Sequence, residues 1–514
     1  MSKTIIIIGA GLAGLSAALQ AAENGCNVKL VSSLPSERAQ SVMAEGGINA
    51  ALNTKDENDS PEEHFTDTIK AACGLADPNA VWGMTQAAPE LVHWLLKLGV
   101  KFNMSGYDDV DLRNFGGQKK KRTAFAQSDT GKQIMTAMID AVRRKEASGM
   151  VERFSHHSFL TLSLCGNICC GCVIRDEYSQ EIVELPGDAV IVATGGMHGL
   201  FGNTTGSLSN TGEVTAELFR LGVPLANGEM IQYHPTTVKC GGKRMLISEA
   251  ARGEGGRLFA MKDGKQWYFM EEKYPELGNL MPRDITAREI WKVSHESEVF
   301  LDMTEISEEI ISNKLSGLAD DCMTYLHKDI RKEPVSVLPG IHYFMGGILV
   351  DEQHRTPIQN LCAAGECCAQ YHGANRLGGN SLLGALYGGR VAAKSACEQA
   401  DVVDLSCATQ IDFPPASQIS EIKQLNKVMQ ETMGVVRNEN TLLNGIKTVQ
   451  ALTGNLPLLG MAVLKSALAR KESRGAHWRE DYPKSNDDDY LKTTVARFDG
   501  KQIQISFVPV PERR

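Results

Sequence analysis

The sequence has no apolar run near the ~18 residues that a membrane span requires. Its opening, MSKTIIIIGAG, is not a secretory signal, because the apolar stretch is short and leads straight into a glycine turn. The expectation is a cytoplasmic protein that meets a membrane only through a partner. No CxxCH occurs, which excludes attached c-type haem. No cysteine set has the spacing of a ferredoxin module. Basic residues number 53 against 62 acidic ones, a net charge of −9, which argues against broad nucleic-acid binding. The substrate can still be an anion, because local charge decides binding.

Thirteen cysteines, an odd number in a chain without an export signal, are expected to be reduced thiols. Cys165, Cys169, Cys170 and Cys172 match no standard ligand spacing. LCGNICCGCVI instead reads as a hairpin of small apolar residues, so packing is favoured and no metal is expected. At 514 residues, 42% hydrophobic and 22% charged, the chain has the make-up of a globular protein with two or three domains.

Thr4 to Ile8 is a β-branched run, Gly9–Gly14 a turn, LSAALQAAEN a helix ending near Gly25, and Val28–Val31 the next strand. This is a βαβ opening. AVIVATGG (189–196) and LCAAGE (361–366) end in the same glycine style and could join one sheet, which implies an insertion between about 220 and 340. From about 415 the pattern is helical through VLKSALARKESRG. The tail, TTVARFDGKQIQISFVPV, reads as two strands about an Asp499-Gly500 turn.

GAGLAG (9–14) fits a dinucleotide fingerprint. Gly9 permits the tight turn, Gly11 lets backbone approach a pyrophosphate, and Gly14 allows close helix–strand packing. The acid that normally follows some twenty residues later is absent; Ser32 and Ser33 stand there instead. That weakens a nicotinamide reading and leaves a flavin dinucleotide compatible. Gly46 and Gly47, after Glu45, suit backbone lying on a flat ring. In HGANRLGGNSLL (372–383), Arg376 sits among glycines, a setting for a two-pronged grip on a carboxylate.

RAQSVMAEGGINAAL (38–52), FGGQ (115–118), HPT (234–236), SEAARGEGG (248–256), PRD (282–284), HYFMGG (342–347), AGE and HGANRLGGNSLL occur in this order. With them the chain resembles the flavoprotein subunit of succinate dehydrogenases and fumarate reductases, in the superfamily of L-aspartate oxidase. The resemblance runs from residue 4 to about 395 and resumes at RKESRGAHWREDYP (470–483), which looks like the family's C-terminal helical segment. It implies an α/β fold with a Rossmann-type FAD-binding domain (1–229 and 343–400). An inserted α+β capping domain (230–342) and a C-terminal helical domain with a strand-like tail (401–514) complete it.

The resemblance also carries roles. His234, Ser248, His342 and Arg376 match the residues that hold two substrate carboxylates, with Phe115 and Gly47 beside them. Arg283 matches the proton donor, and Glu249 and Arg252 its relay. Gly9, Ala10, Gly11, Ala13, Gly14, Ser32, Ser33, Gln40, Ser41, Glu45, Gly46 and Gly47 are expected at the coenzyme. So are Ala193, Thr194, Gly195, Glu213, His342, Tyr343, Gly365, Glu366, Arg376, Ser381 and Leu382. Glu213 stands where relatives usually carry Asp.

One departure is informative. Membrane-bound members attach FAD through a histidine in an RSHT-type segment, and here Gln40 occupies that position. A carboxamide cannot form the histidyl–flavin bond, so noncovalent FAD is expected. Without the alkylated 8α position the flavin potential should fall, which favours fumarate reduction to succinate over succinate oxidation. Nothing resembles an added haem or covalent-FMN domain, so electrons are expected from an iron–sulfur subunit, in a complex that can be membrane-associated. L-Aspartate oxidase and other FAD-dependent 2-enoate reductases are the rival enzymes. A noncatalytic flavoprotein is the rival class.

Overall fold

A computed structural model describes residues 2–106, 109–399, 413 and 418–514. Five parallel strands form the central sheet: β1 (Thr4–Ile8), β2 (Asn27–Ser32), β3 (Val151–Ser155), β4 (Ala189–Val192) and β7 (Leu361–Ala363), in the order β7-β4-β1-β2-β3. The three glycine-ended segments therefore do join one sheet, with β4 seated between β1 and β7. Ile5, Ile6 and Ile7 are all fully buried, as expected for a parallel strand covered on both faces. Burying each such side chain contributes roughly 1.5–3 kcal/mol.

Helix α1 (Leu12–Glu23) packs along helix α4 (Asn380–Gln399). The helices approach closely at Gly389, where a Cβ would lie 2.3 Å from the Ala13 carbonyl oxygen. At the same end of α1, a Cβ on Gly9 (φ +111°) would meet Ala193 O at 2.2 Å, and one on Gly14 would meet Gly9 O at 1.8 Å. Alanine at either position would force strand and helix apart.

Between β4 and β7 the chain builds strand β5 (Ile231–Cys240), short helix α2 (Glu249–Gly253), helix α3 (Arg283–Val293) and strand β6 (Leu338–Phe344). Strands β5 and β6 pair antiparallel, with bulges on both sides of His234. Such irregularities re-aim side chains. Ile247, Leu258, Ile290, Leu301 and Val335 form an apolar cluster that draws in Phe115 from outside this stretch.

Helices α5 (Ile419–Thr432), α6 (Glu439–Val449) and α7 (Asn455–Ala469) follow, then the hairpin β8 (Lys492–Phe498) and β9 (Ile503–Pro509). Gly500, with φ +90°, lies in its turn. The hairpin adds to Leu225–Ala226, so the tail completes a sheet begun far upstream. The expected boundary at 400/401 lies outside the described residues.

One expectation fails. The helix stops at Ala469, and 470–483 is irregular rather than helical. Arg470 and Glu472 there are wholly buried, and Arg470 binds Glu229 at 2.7 Å and Glu472 at 2.8 Å. Satisfying these buried charges outweighs helix propensity. His157–Cys165 and Ile168–Asp176 form the expected hairpin, with Cys169, Cys170 and Cys172 buried. Among the described residues no cluster could hold a metal, and no helix is long and apolar enough to cross a membrane.

Candidate active site

A cavity of about 880 Å³ opens at the carboxyl ends of β1, β2 and β4 and extends beneath β5 and β6. This is the size of a cofactor cleft, and it lies where open α/β sheets bind ligands. All but two of the residues singled out from sequence border it. Gly14 sits behind Gly9, where its role is packing. Arg252 is buried behind Glu249 and does not reach the cavity surface.

The wall suits a dinucleotide. Helix α1 is preceded by Gly11, which brings no capping side chain; among the described residues only Ser41 Oγ, 3.3 Å from Leu12 N, approaches its first N–H groups. A helix start of this kind stabilises a phosphate. The Oγ of Ser32 is buried with no hydrogen-bond partner, at the strand end where a ribose contact is expected. Gly47, with φ +129°, and Gly46, packed on the Phe115 ring, bring bare backbone to the cavity. These residues fit FAD.

At the opposite end, buried charges form a row. The Arg283 guanidinium contacts Glu249 Oε2 through Nε at 2.8 Å and Nη2 at 2.5 Å, and Gln232 Oε1 through Nη1 at 3.2 Å. Glu249 Oε1 accepts from Gly116 N at 3.0 Å and lies 3.6 Å from Arg252 Nη2. Burial raises the Glu249 pKa, but Arg283 and Arg252 outweigh it, so the carboxyl lies below its usual range. Short helices explain the placement. Ser248 caps α2, and Pro282, preceding α3, starts that helix on Arg283.

Arg376 is buried, its guanidinium carbon 4.4 Å from the centre of the Tyr343 ring. It makes no ion pair among the described residues, and its Nε is unpartnered. Burial, with Arg283 nearby, holds its pKa down to about 9. A buried cation in this state is costly unless an anion joins it. His234 and His342 stand edge to face, 5.1 Å between ring centres. Nδ1 of His342 bonds Thr205 Oγ1 at 2.8 Å, and Nδ1 of His234 bonds Thr236 O at 3.0 Å. Burial first, then Arg283, holds both imidazoles well below their usual range, so both are neutral at pH 7.

Glu45 also lines the wall, half-buried, with its Oε2 shielded from solvent. Burial, then Asp321, pushes its carboxyl up to about 8. Glu366 Oε1 accepts from Phe344 N at 3.1 Å, with His198 Nε2 at 3.6 Å.

Sequence reasoning missed Gln232 and Thr205. Gln232 joins Arg283 to Asn375 Oδ1 (3.0 Å) and to the Arg376 carbonyl (2.8 Å), tying two arginines into one frame. Its place two residues before His234 was a usable signal. Nothing in the local pattern around Thr205 pairs it with His342, 137 residues away.

A family model described as a FAD binding domain matches residues 4–382, and one described as fumarate reductase flavoprotein C-term matches 452–513. The succinate dehydrogenase flavoprotein subunit of Bacillus subtilis is 38% identical, covering 100% of this chain and 98% of its own. The 8-methylmenaquinol:fumarate reductase flavoprotein subunit of Wolinella succinogenes is 32% identical, covering 100% and 92%. Among solved structures, an E. coli quinol fumarate reductase FrdA variant superposes with a TM-score of 0.90 at 27% identity, over 99% of this chain and 97% of that one. The chain belongs to the flavoprotein-subunit family of succinate dehydrogenases and fumarate reductases, and it is an FAD-dependent oxidoreductase.

Proposed function

We propose that the protein reduces fumarate to succinate, the reverse oxidation remaining open to the same site. The observation that carries this is Arg376, buried in the wall of the same cavity as His234 and His342 without an anion of its own. One substrate carboxylate pairs with Arg376 and the histidines, and Ser248 receives the other. Two anchored ends fix a four-carbon acid in one orientation, which removes orientational entropy from the reaction. FAD, when bound, supplies the hydride.

Arg283 is the proposed proton donor to the other alkene carbon. Its guanidinium has five N–H bonds, three of which go to Glu249 and Gln232. The remaining two are free to face the substrate. A guanidinium rarely gives up a proton, so Glu249 Oε2, in contact with Nε and Nη2, must return one at once, with Arg252 behind it. The same cation stabilises the charge that develops as hydride arrives.

Gln40 borders the cavity where a flavin-linking histidine would stand, which supports noncovalent FAD and the reductive direction. Residues 230–342, which carry His234, Ser248, Glu249, Arg283 and His342, are proposed to act as a cap over the 1–229 and 343–400 FAD-binding domain, with 401–514 as a C-terminal domain. The relatives are named as subunits, which supports an iron–sulfur partner as electron donor and peripheral membrane association through it.

The test is oxidation of reduced viologen by the purified chain with fumarate, with monocarboxylic enoates, and in parallel iminoaspartate formation from aspartate. Fumarate turnover alone is expected. Aspartate oxidation would place the chain with L-aspartate oxidase, and faster turnover of a monocarboxylate with other enoate reductases.

A further inference from the structure

Away from the cavity, two thiols touch. Cys26 Sγ lies 3.1 Å from Cys397 Sγ, although the residues are 371 apart in sequence. Both are free thiols. A disulfide bond is ~2.05 Å long, so closure needs a shift of only about 1 Å. Cys26 is buried at the turn between α1 and β2, and Cys397 is half-buried in the last turn of α4. The backbone around them is held. Lys3 Nζ donates to Cys397 O at 2.7 Å, and Ser16 Oγ donates to Leu386 O at 2.6 Å along the α1–α4 contact. The near ends of these two helices border the coenzyme cavity at Leu12, Ala13, Ser381 and Leu382.

We propose that Cys26 and Cys397 are a thiol–disulfide exchange site, at which a small disulfide of the glutathione class closes a cystine that fastens the far ends of α1 and α4. The Cys397 thiolate, the more reachable of the two, attacks the small disulfide. A protein–glutathione bond forms and one glutathione thiolate leaves. The Cys26 thiolate then attacks Cys397 Sγ and expels the second glutathione thiolate. Two protein thiols are oxidised, one small disulfide is reduced, and both protons end on glutathione. Burial and the Cys26 thiol push Cys397 up to about 12, so the thiolate is scarce at neutral pH. The rate should rise nearly tenfold per pH unit between 7 and 9. The cystine closes a 371-residue span and fastens the two helices that hold the coenzyme, which is itself expected to have no covalent tether.

The experiment treats purified holoenzyme with oxidised glutathione, quenches with an alkylating agent and maps peptides. Expected are a Cys26–Cys397 linked peptide, two fewer alkylated thiols, faster migration on a non-reducing gel, and flavin release at a higher temperature than in the reduced protein. Cys26→Ser and Cys397→Ser should each abolish the migration change while keeping flavin. Should either variant fold poorly, peptide mapping of the unsubstituted protein decides. Cystines that avoid this pair, a glutathione adduct that persists on Cys397 with Cys26 still free, or a migration change surviving in either variant would overturn the site. Linked protein that releases flavin at the reduced protein's temperature would overturn the clamp.

Discussion

Arg283 lies against Glu249, with Nε at 2.8 Å and Nη2 at 2.5 Å from one carboxylate oxygen, and both side chains are buried. Two contacts to a single oxygen leave Glu249 Oε1 free for Gly116 N and Arg252. Arg283→Ala removes the proposed proton donor and leaves the carboxylate short of its main partner. Fumarate reduction should drop by on the order of 10²–10³-fold or more, with flavin content unchanged. Steady-state kinetics beside an absorbance scan checks this, and near-normal turnover would contradict the donor role.

Glu45 links stability to pH. Its folded value of about 8 exceeds the ordinary 4.5, so between these values the folded state binds more protons than the unfolded one. Stability from this group is present below pH ~4.5 and is lost as pH rises through 8, at up to ~1.4 kcal/mol per unit. His234 and His342 act in the opposite sense. Their folded values lie below 6.5, so their cost appears as pH falls beneath that value. Urea unfolding from pH 5 to 9 should show the alkaline decline in the native chain and a flatter curve in Glu45→Gln. An unchanged slope in the variant would show that another group titrates.

Gln40 offers no imidazole to the coenzyme. Acid precipitation should carry the yellow colour into the supernatant and leave the pellet colourless. Colour retained in the pellet would require a covalent bond from another residue.

The pair of Glu229 and Arg470 holds 470–483 to the start of β5. Both are fully buried, and Thr494 Oγ1 also donates to Glu229 at 2.5 Å. Glu229→Ala takes one of two carboxylates from the buried Arg470 guanidinium, which keeps Glu472, and should cost about 1–3 kcal/mol, read as a lower denaturant midpoint. Arg470→Met in the same background should recover part of that loss. Additive losses would mean that the two charges do not depend on each other.

Much of this architecture is legible in the chain because its signals are local. The β-branched run before Gly9 fixes the first strand, and the Asp499-Gly500 turn marks the final hairpin. What escaped is non-local. The end of the last long helix depends on Glu229, which meets Arg470 only after folding. Gln232 and Thr205 act through partners more than 50 residues away, and hydrogen bonds between side chains leave no periodicity to read. The Cys26–Cys397 contact joins the ends of two helices whose packing only the folded sheet determines.

The central claim is that Arg376, His234 and His342 grip one end of a dicarboxylate. It is tested most directly by titrating oxidised holoenzyme with fumarate, and separately with crotonate, while following the flavin absorbance band. The account predicts a saturable shift with fumarate, binding weakened about 10²-fold or more in Arg376→Ala, and far weaker binding of the monocarboxylate. Fumarate affinity unchanged in Arg376→Ala, or crotonate bound as tightly as fumarate, would contradict it.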